Sequence, residues 1–375
     1  PHDPAVVYVA ANRYQQDDFK PYLWKSADYG RTWTSIAAGL PANAYARVVR
    51  EDPSHRGLLY AGTEIGVFAS FDDGAHWEPL QLNLPRVSVR DLKVQGNDLI
   101  AATHGRAFWV IDDLSPLRQL ADSVTRKPAH LFQPAATVRW AGSGGSSLTA
   151  GENPVPGAYI DYWLREKPAG TPTMEFRDGA GTLLRSFRGT APDTAKAAVD
   201  SLARRARLTT GDSLAYTPGD TVVPHRPGTN RFAGDLPLTR ATRIDNTVID
   251  EGHLGGPMVP PGTYTVRLIA GADTMVRSFQ VTPDPRATST AADLAAQYEL
   301  ALRVRDRINE IADQVKRAED LQAQLDTRTA QAKGQAYEQR LGDAAKGVRG
   351  RLEQVRAELY EIGCHVDQCT LDMPV

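Results

Sequence analysis

One eight-residue pattern occurs twice in this chain and constrains its fold more than any other feature. Ser26-Ala27-Asp28-Tyr29-Gly30-Arg31-Thr32-Trp33 returns as Ser70-Phe71-Asp72-Asp73-Gly74-Ala75-His76-Trp77. Asp28 and Asp72 stand about 44 residues apart, a spacing typical of structural repeats. The residue types describe a hairpin turn. An Asp carboxylate accepts hydrogen bonds from backbone amides of its own turn. Gly30 and Gly74 supply a positive φ that other residues reach only at a cost. Trp33 and Trp77 open the next strand and cover the turn. Such a pattern is a folding device, which dictates architecture and leaves chemistry open.

Short strands recur around the two turns. Segments 6–11, 58–63 and 98–103 are equivalent, and each is followed by a second strand at 22–25, 66–69 and 107–111. In the third repeat Asp112-Asp113 stands where the motif belongs, without the glycine or the downstream Trp. A period of about 40 to 45 residues with several strands per repeat predicts propeller blades. Two to three blades do not close a ring of about four or more. The remaining blades are therefore expected outside this stretch or from another chain.

Several stretches resemble a known family. They are Asp17-Asp18-Phe19-Lys20-Pro21-Tyr22, the two turns, Gly57-Leu58-Leu59-Tyr60-Ala61-Gly62-Thr63-Glu64, Leu82-Asn83-Leu84-Pro85 and Thr103-His104-Gly105-Arg106-Ala107-Phe108-Trp109. They are similar to exported bacterial BNR/Asp-box propeller proteins, also labelled sortilin-like (VPS10) or glycosyl-hydrolase-like. There the turn motif is the Asp-box. The resemblance implies the last blades of such a propeller together with its C-terminal domains. The glycosyl-hydrolase label rests on the Asp-boxes that sialidases share, a fold-level analogy rather than a site.

At 375 residues the chain is long enough for two or three domains. Residues 1–125 are read as the propeller blades and 126–156 as a linker, with Ala141-Gly142-Ser143-Gly144-Gly145-Ser146-Ser147 flexible. Residues 157–285 alternate with period 2, predicting strands at 158–164, 173–177, 182–187, 263–269 and 275–281. Hairpin turns are expected at 178–181 and 270–273. Pro260-Pro261-Gly262-Thr263-Tyr264-Thr265-Val266-Arg267-Leu268 is typical of a small Ig-like β-sandwich, and resembles the domain located after the propeller in the family. Residues 228–236 resemble a strand of that domain, with Gly234 where an aromatic is usual. Residues 192–227 read as an insertion, with a short helix over 194–207.

From 286 to 363 the period is helical. Leu294, Tyr298, Ala301, Val304, Ile308, Ile311, Val315, Ala318 and Leu325 form one stripe, and Tyr337, Leu341, Ala345, Val348, Leu352, Val355, Leu359 and Ile362 another. An antiparallel helical hairpin is expected, capped at its start by Thr288-Ser289-Thr290 and ended by Gly363. Residues 364–375 are a tail holding the two cysteines of the chain. Cys364 and Cys369 can close a disulfide if their Cα atoms come within about 7 Å, and two free thiols are the alternative. The fold class is thus mainly β with a C-terminal α part: a partial β-propeller of two to three blades, an Ig-like sandwich and a helical hairpin.

Catalytic residues are not evident. A sialidase needs an arginine cluster, a Tyr/Glu pair and an acid, and Arg13-Tyr14 alone assembles no such set. Asp17-Asp18 and Asp112-Asp113 are adjacent, so on a strand their side chains diverge and do not flank one glycosidic bond. No metal ligand set is assigned. Calcium is left open at the Asp-box turns or at Asp17-Asp18. His104 and Arg106 are candidate rim contacts for a ligand. A net charge of −2 gives no case for nucleic acid, and no run of about 18 apolar residues predicts a transmembrane helix. Pro1 opens the chain without Met or signal peptide, which marks a processed product or part of something longer. The reading is a non-catalytic binding or scaffolding protein, periplasmic or extracellular, with protein partners; one form of it is an accessory subunit docked on a larger envelope assembly such as a secretion, respiratory or photosynthetic complex. A glycosidase or peptidase with catalytic blades upstream, and a glycan-binding module, are the alternatives.

Overall fold

The computed structural model describes residues 2–140, 157–189, 222–234, 241–242 and 256–359. Cys364, Cys369, Gly363, the 141–147 stretch and the helix expected over 194–207 lie outside the described residues. The protein is mainly β with a helical part toward its C-terminus.

Three small antiparallel sheets come first. The first holds β1 (Val7–Arg13), β2 (Asp18–Ser26) and β3 (Thr34–Ser35). The second holds β4 (Ala46–Glu51), β5 (Leu59–Thr63), β6 (Val67–Ser70) and β7 (Glu78–Pro79). The third holds β8 (Val89–Gln95), β9 (Asp98–Thr103) and β10 (Phe108–Ile111). Each sheet keeps chain order, as short turns between antiparallel neighbours require. The equivalent segments of the repeats are β1, β5 and β9. The second and third sheets each add an inner strand before them, β4 and β8, and the first has no such strand among the described residues.

The sheets stack through alternate faces. Along β5 and the residue before it, Leu58 and Tyr60 point one way and Leu59 and Ala61 the other, as pleating dictates. Leu59, Ala61, Phe68 and Trp77 pack on Leu23 and Ile36 of the first repeat. Leu58, Tyr60 and Val67 pack on Val89, Leu92, Leu99 and Ala101 of the third. β5 is therefore buried along its whole length. Each large side chain so buried contributes about 2 kcal/mol.

After two short helices, α1 (Ser115–Gln119) and α2 (Asp122–Thr125), the chain builds a second β body. One of its sheets has the order β11 (Ala129–Leu131), β13 (Ala158–Leu164), β16 (Gly228–Gly234). The other runs β12 (Thr137–Arg139), β18 (Asp273–Pro283), β17 (Gly262–Ala270), β14 (Thr173–Arg177), β15 (Leu183–Arg188). Both sheets enclose one core, with Ile160, Tyr162 and Phe232 from the first and Phe176, Val266 and Phe279 from the second. Within the stretch 126–156 read as a linker, the described residues 126–140 carry two short strands. β11 pairs with β13 and buries Leu131, and β12 runs parallel to β18. Strands of three residues are too short to display alternation. Gly234 also has its explanation: a Cβ there would lie 2.6 Å from the Phe176 ring, which fills the space.

Two helices complete the described chain, α3 (Ala291–Gln331) and α4 (Glu338–Leu359). Thr290 caps α3 in a capping box with Asp293. The helices run antiparallel, with Arg349 bonded to Asp326 at 2.5 Å and Arg356 paired with Glu319 at 3.3 Å. Tyr298 and Leu302 of α3 lie against the core of the second β body.

Candidate functional site

The three N-terminal sheets present two unlike ends. At one end lie the repeated turns. Asp28 accepts bonds from the Thr32 amide at 2.8 Å, the Thr32 hydroxyl at 2.6 Å and Ser26 Oγ at 2.8 Å, and Ser26 Oγ accepts from the Gly30 amide. Asp72 repeats this with the His76 amide at 2.8 Å, His76 Nδ1 at 2.5 Å and Ser70 Oγ at 2.9 Å, while Gly74 donates to Ser70 Oγ. The bonds from Thr32 first, then Ser26, bring the Asp28 carboxyl down to about 2. At Asp72 burial works against ionisation, and the bonds from His76 and Ser70 outweigh it, so its carboxyl also sits below the usual range. These carboxylates are fully engaged in their own turns. Trp33 Nε1 donates to the Gly30 carbonyl, and Trp77 Nε1 to the Ile36 carbonyl of the neighbouring repeat.

The degenerate third turn does something else. Arg231 of β16 donates to the Asp112 and Asp113 carbonyls at 2.6 and 3.1 Å and pairs with buried Asp161 at 3.0 Å. It ties the third sheet to the second β body.

At the opposite end the loops and inner strands gather a cationic cluster. β4 and β8 each carry an arginine at a register shift near their start, Arg47 and Arg90, the position of a β-bulge that re-aims a side chain. Arg47 donates to Glu64 Oε2 through Nε at 3.0 Å and Nη2 at 2.8 Å, to Ser88 Oγ at 3.1 Å and to the Tyr45 hydroxyl at 2.8 Å. Its guanidinium lies 4.8 Å from the Tyr45 ring and 5.3 Å from the Tyr14 ring, which stack on each other at 5.1 Å. Burial disfavours the Glu64 charge, yet the bonds from Ser88, Tyr45 and Arg47 prevail and its carboxyl stays low. Arg50 Nη2 bonds Asp91 at 2.7 Å, joining β4 to β8. A shallow cleft of about 190 Å³ runs along β4, lined by Tyr8, Ala10, Arg47, Arg50, Arg90 and Asp91.

His104 and Arg106 lie at this end, in the exposed β9–β10 loop. Arg90 Nη2 contacts His104 Nδ1 at 2.9 Å. A guanidinium can only donate, so His104 Nδ1 accepts and the ring proton is on Nε2. Sequence reasoning placed His104 and Arg106 at a rim but missed Tyr45, Arg47, Glu64, Ser88 and Arg90. The available signal was an arginine at the same place in two successive repeats. Arg13 and Tyr14 part company: Arg13 reaches Asp18 at 3.7 Å, and Tyr14 joins the stack. Asp18 is engaged by the Tyr22 hydroxyl at 2.5 Å. Among the described residues no group of three or more His, Cys, Asp or Glu is placed to hold a metal ion.

Tyr45 and Glu64 lie beside Arg47 and share its hydrogen-bond network. Tyr45 is 6% exposed. Burial first, then the hydrogen bond to Glu64, pushes its hydroxyl up. What this end offers is Arg90, an exposed guanidinium held against His104, beside an Arg47 already paired with Glu64.

No family model and no curated protein matches the chain. Among solved structures, YCF48 bound to D1 peptide is 19% identical over 24% of this chain and 31% of that one, with a TM-score of 0.20. An ancestral GH74 enzyme is 13% identical over 51% and 26%, with a TM-score of 0.23. The extracellular domain assigned to a one component system of B. thetaiotaomicron is 9% identical over 73% and 31%, with a TM-score of 0.20. The chain spans about a third or less of the length of each. At these scores the likenesses decide neither fold nor function.

Proposed function

We propose that this chain is a non-catalytic binding and scaffolding module of the cell envelope. Its three N-terminal sheets are the last blades of an Asp-box propeller. An Ig-like sandwich and a helical hairpin come after them, and the whole docks on a larger periplasmic protein assembly. One observation carries the docking. Val7 and Val9 of β1 are 40% and 38% exposed, whereas their equivalents Leu59 and Ala61 of β5 are both 0% exposed against the neighbouring sheet. At the far side of the stack Phe108 is 75% exposed. Both outer sheet faces are apolar surfaces of the kind that proteins cover by association, and among the described residues β1 is an edge strand, paired on one side alone. Among the described residues no helix is long and apolar enough to cross a membrane.

The test is co-purification. Extracted gently from native membranes, the protein should migrate with a larger assembly. Recovery as a lone monomer overturns the docking, and glycan hydrolysis by the purified chain overturns the non-catalytic reading.

A further inference from the structure

The second and third repeats can be compared atom by atom at the end that holds the arginines. In both, a threonine closes the loop after the repeat's equivalent strand. Thr63 donates through its amide and hydroxyl to the Gly66 carbonyl at 2.9 and 3.0 Å. Thr103 does the same to the Ala107 carbonyl at 3.2 and 2.6 Å. The next amide bonds the residue that precedes the inner strand: Glu64 to the Tyr45 carbonyl at 3.1 Å, His104 to the Ser88 carbonyl at 2.8 Å. His104 therefore occupies the place of Glu64, and Arg90 that of Arg47.

The two repeats differ at this end in two ways. The carboxylate that clamps Arg47 is replaced by an imidazole, so Arg90 meets a neutral ring nitrogen instead of an anion. The third loop is also one residue longer, and the longer turn carries Arg106. The nearest acid in sequence, Asp91, bonds Arg50. Arg90, His104 and Arg106 are all exposed. The loop is held in shape: Gly105 and Ala107 have φ of 83° and 58°, and Trp109 Nε1 donates to the Arg106 carbonyl at 2.8 Å. An exposed guanidinium held against an imidazole, with a second arginine two residues further along a turn of fixed backbone, suits recognition of a carboxylate.

We propose that the third repeat takes from a partner the carboxylate that the second repeat supplies to itself. The ligand is an Asp or Glu side chain in an acidic segment of another protein. It takes on Arg90 the place of Glu64 on Arg47, with a second contact from Arg106. The site serves the binding role proposed above and rests on it, but does not depend on which protein covers the outer sheet faces.

Fluorescence anisotropy with a labelled hexaglutamate peptide tests this on the purified chain at low salt. Saturable binding is expected, with hexaglutamine inert. Arg90→Gln and Arg106→Gln should each weaken binding about tenfold, the loss of one charge-assisted hydrogen bond. His104→Glu, which restores the internal carboxylate, should weaken it at least as much, and its exposed position leaves folding intact. Arg286→Gln, remote from the loop, should change nothing. Absence of binding by the unaltered chain, an unaffected His104→Glu variant, or an equal loss in Arg286→Gln each overturns the site. Competition by free glutarate at the peptide's own concentration overturns the peptide as ligand in favour of a small dicarboxylate. Peptide binding by a chain that proves monomeric in native membranes sinks the docking alone. A chain that co-purifies with an assembly yet ignores the peptide sinks the site alone.

Discussion

Trp33 and Trp77 close the same turn in adjacent repeats and end in different surroundings. Both turns keep the Asp to i+4 amide bond at 2.8 Å and the Ser to i+4 amide bond at 2.8 Å. Trp77 then lies 6% exposed over Ile36, while Trp33 is 42% exposed and bonds within its own turn. The motif specifies the hairpin. What the tryptophan contributes depends on the sheet in front of it, and Trp33 has none among the described residues. Truncation should separate the two most sharply. Trp77→Ala removes a packed indole and is expected to cost about 3 to 5 kcal/mol. Trp33→Ala should cost less than about 1 kcal/mol. Denaturant melts of both variants measure the difference. Equal losses would mean that Trp33 is covered in solution and would break the comparison in favour of a further sheet or partner on that face.

The turn glycines give the next largest contrast. Both have positive φ, 83° at Gly30 and 91° at Gly74, where a Cβ costs about 1 kcal/mol. A Cβ on Gly30 would have its nearest neighbour at 3.6 Å, on the Trp33 ring. On Gly74 it would stand 2.9 Å from Ile36 of the preceding repeat. Gly74→Ala should therefore add about 1 to 3 kcal/mol of overpacking to the conformational cost, and Gly30→Ala should not. Melting temperatures of the two variants, read side by side, decide whether the second turn is a structural contact between repeats.

How far the sequence revealed all this depends on the range of the interactions involved. The two Ser-x-Asp-x-Gly turns are legible because the bonds from Asp28 and Ser26 close within four residues. The helices are legible because their apolar stripe repeats over many turns, and Thr290 with Asp293 marks the start of α3. β11 and β12 are invisible because three residues carry no period and their partners lie far along the chain. Arg47 and Arg90 escape notice because an arginine on a strand reads as a solvated face. Only the register shift and the loop opposite give each its role. The Asp73 contacts are likewise beyond local reading: the carboxylate accepts from Tyr8 at 2.6 Å and pairs with Lys25, both of the first sheet. The contrast between Glu64 and His104 was present in the letters, but it acquires meaning only once the inner strands are aligned in space.

The smallest effect concerns acid. Asp28 sits at about 2 in the folded chain, below the roughly 3.9 of an unfolded Asp. A folded value depressed in this way stabilises above the unfolded value. That stability is lost as pH falls through about 4 toward the folded value near 2. Asp28→Asn should therefore lower the melting temperature at neutral pH and flatten the acid limb of the curve below pH ~4. Asp72→Asn should do the same more weakly, because burial opposes the hydrogen bonds that hold its carboxyl down. Melting curves of the two variants from neutral pH to about 2 resolve the order. If Asp72→Asn flattens the limb more than Asp28→Asn, the partly exposed turn is not the one in which hydrogen bonding dominates. The two boxes would then differ in their electrostatics as well as in what covers their tryptophans.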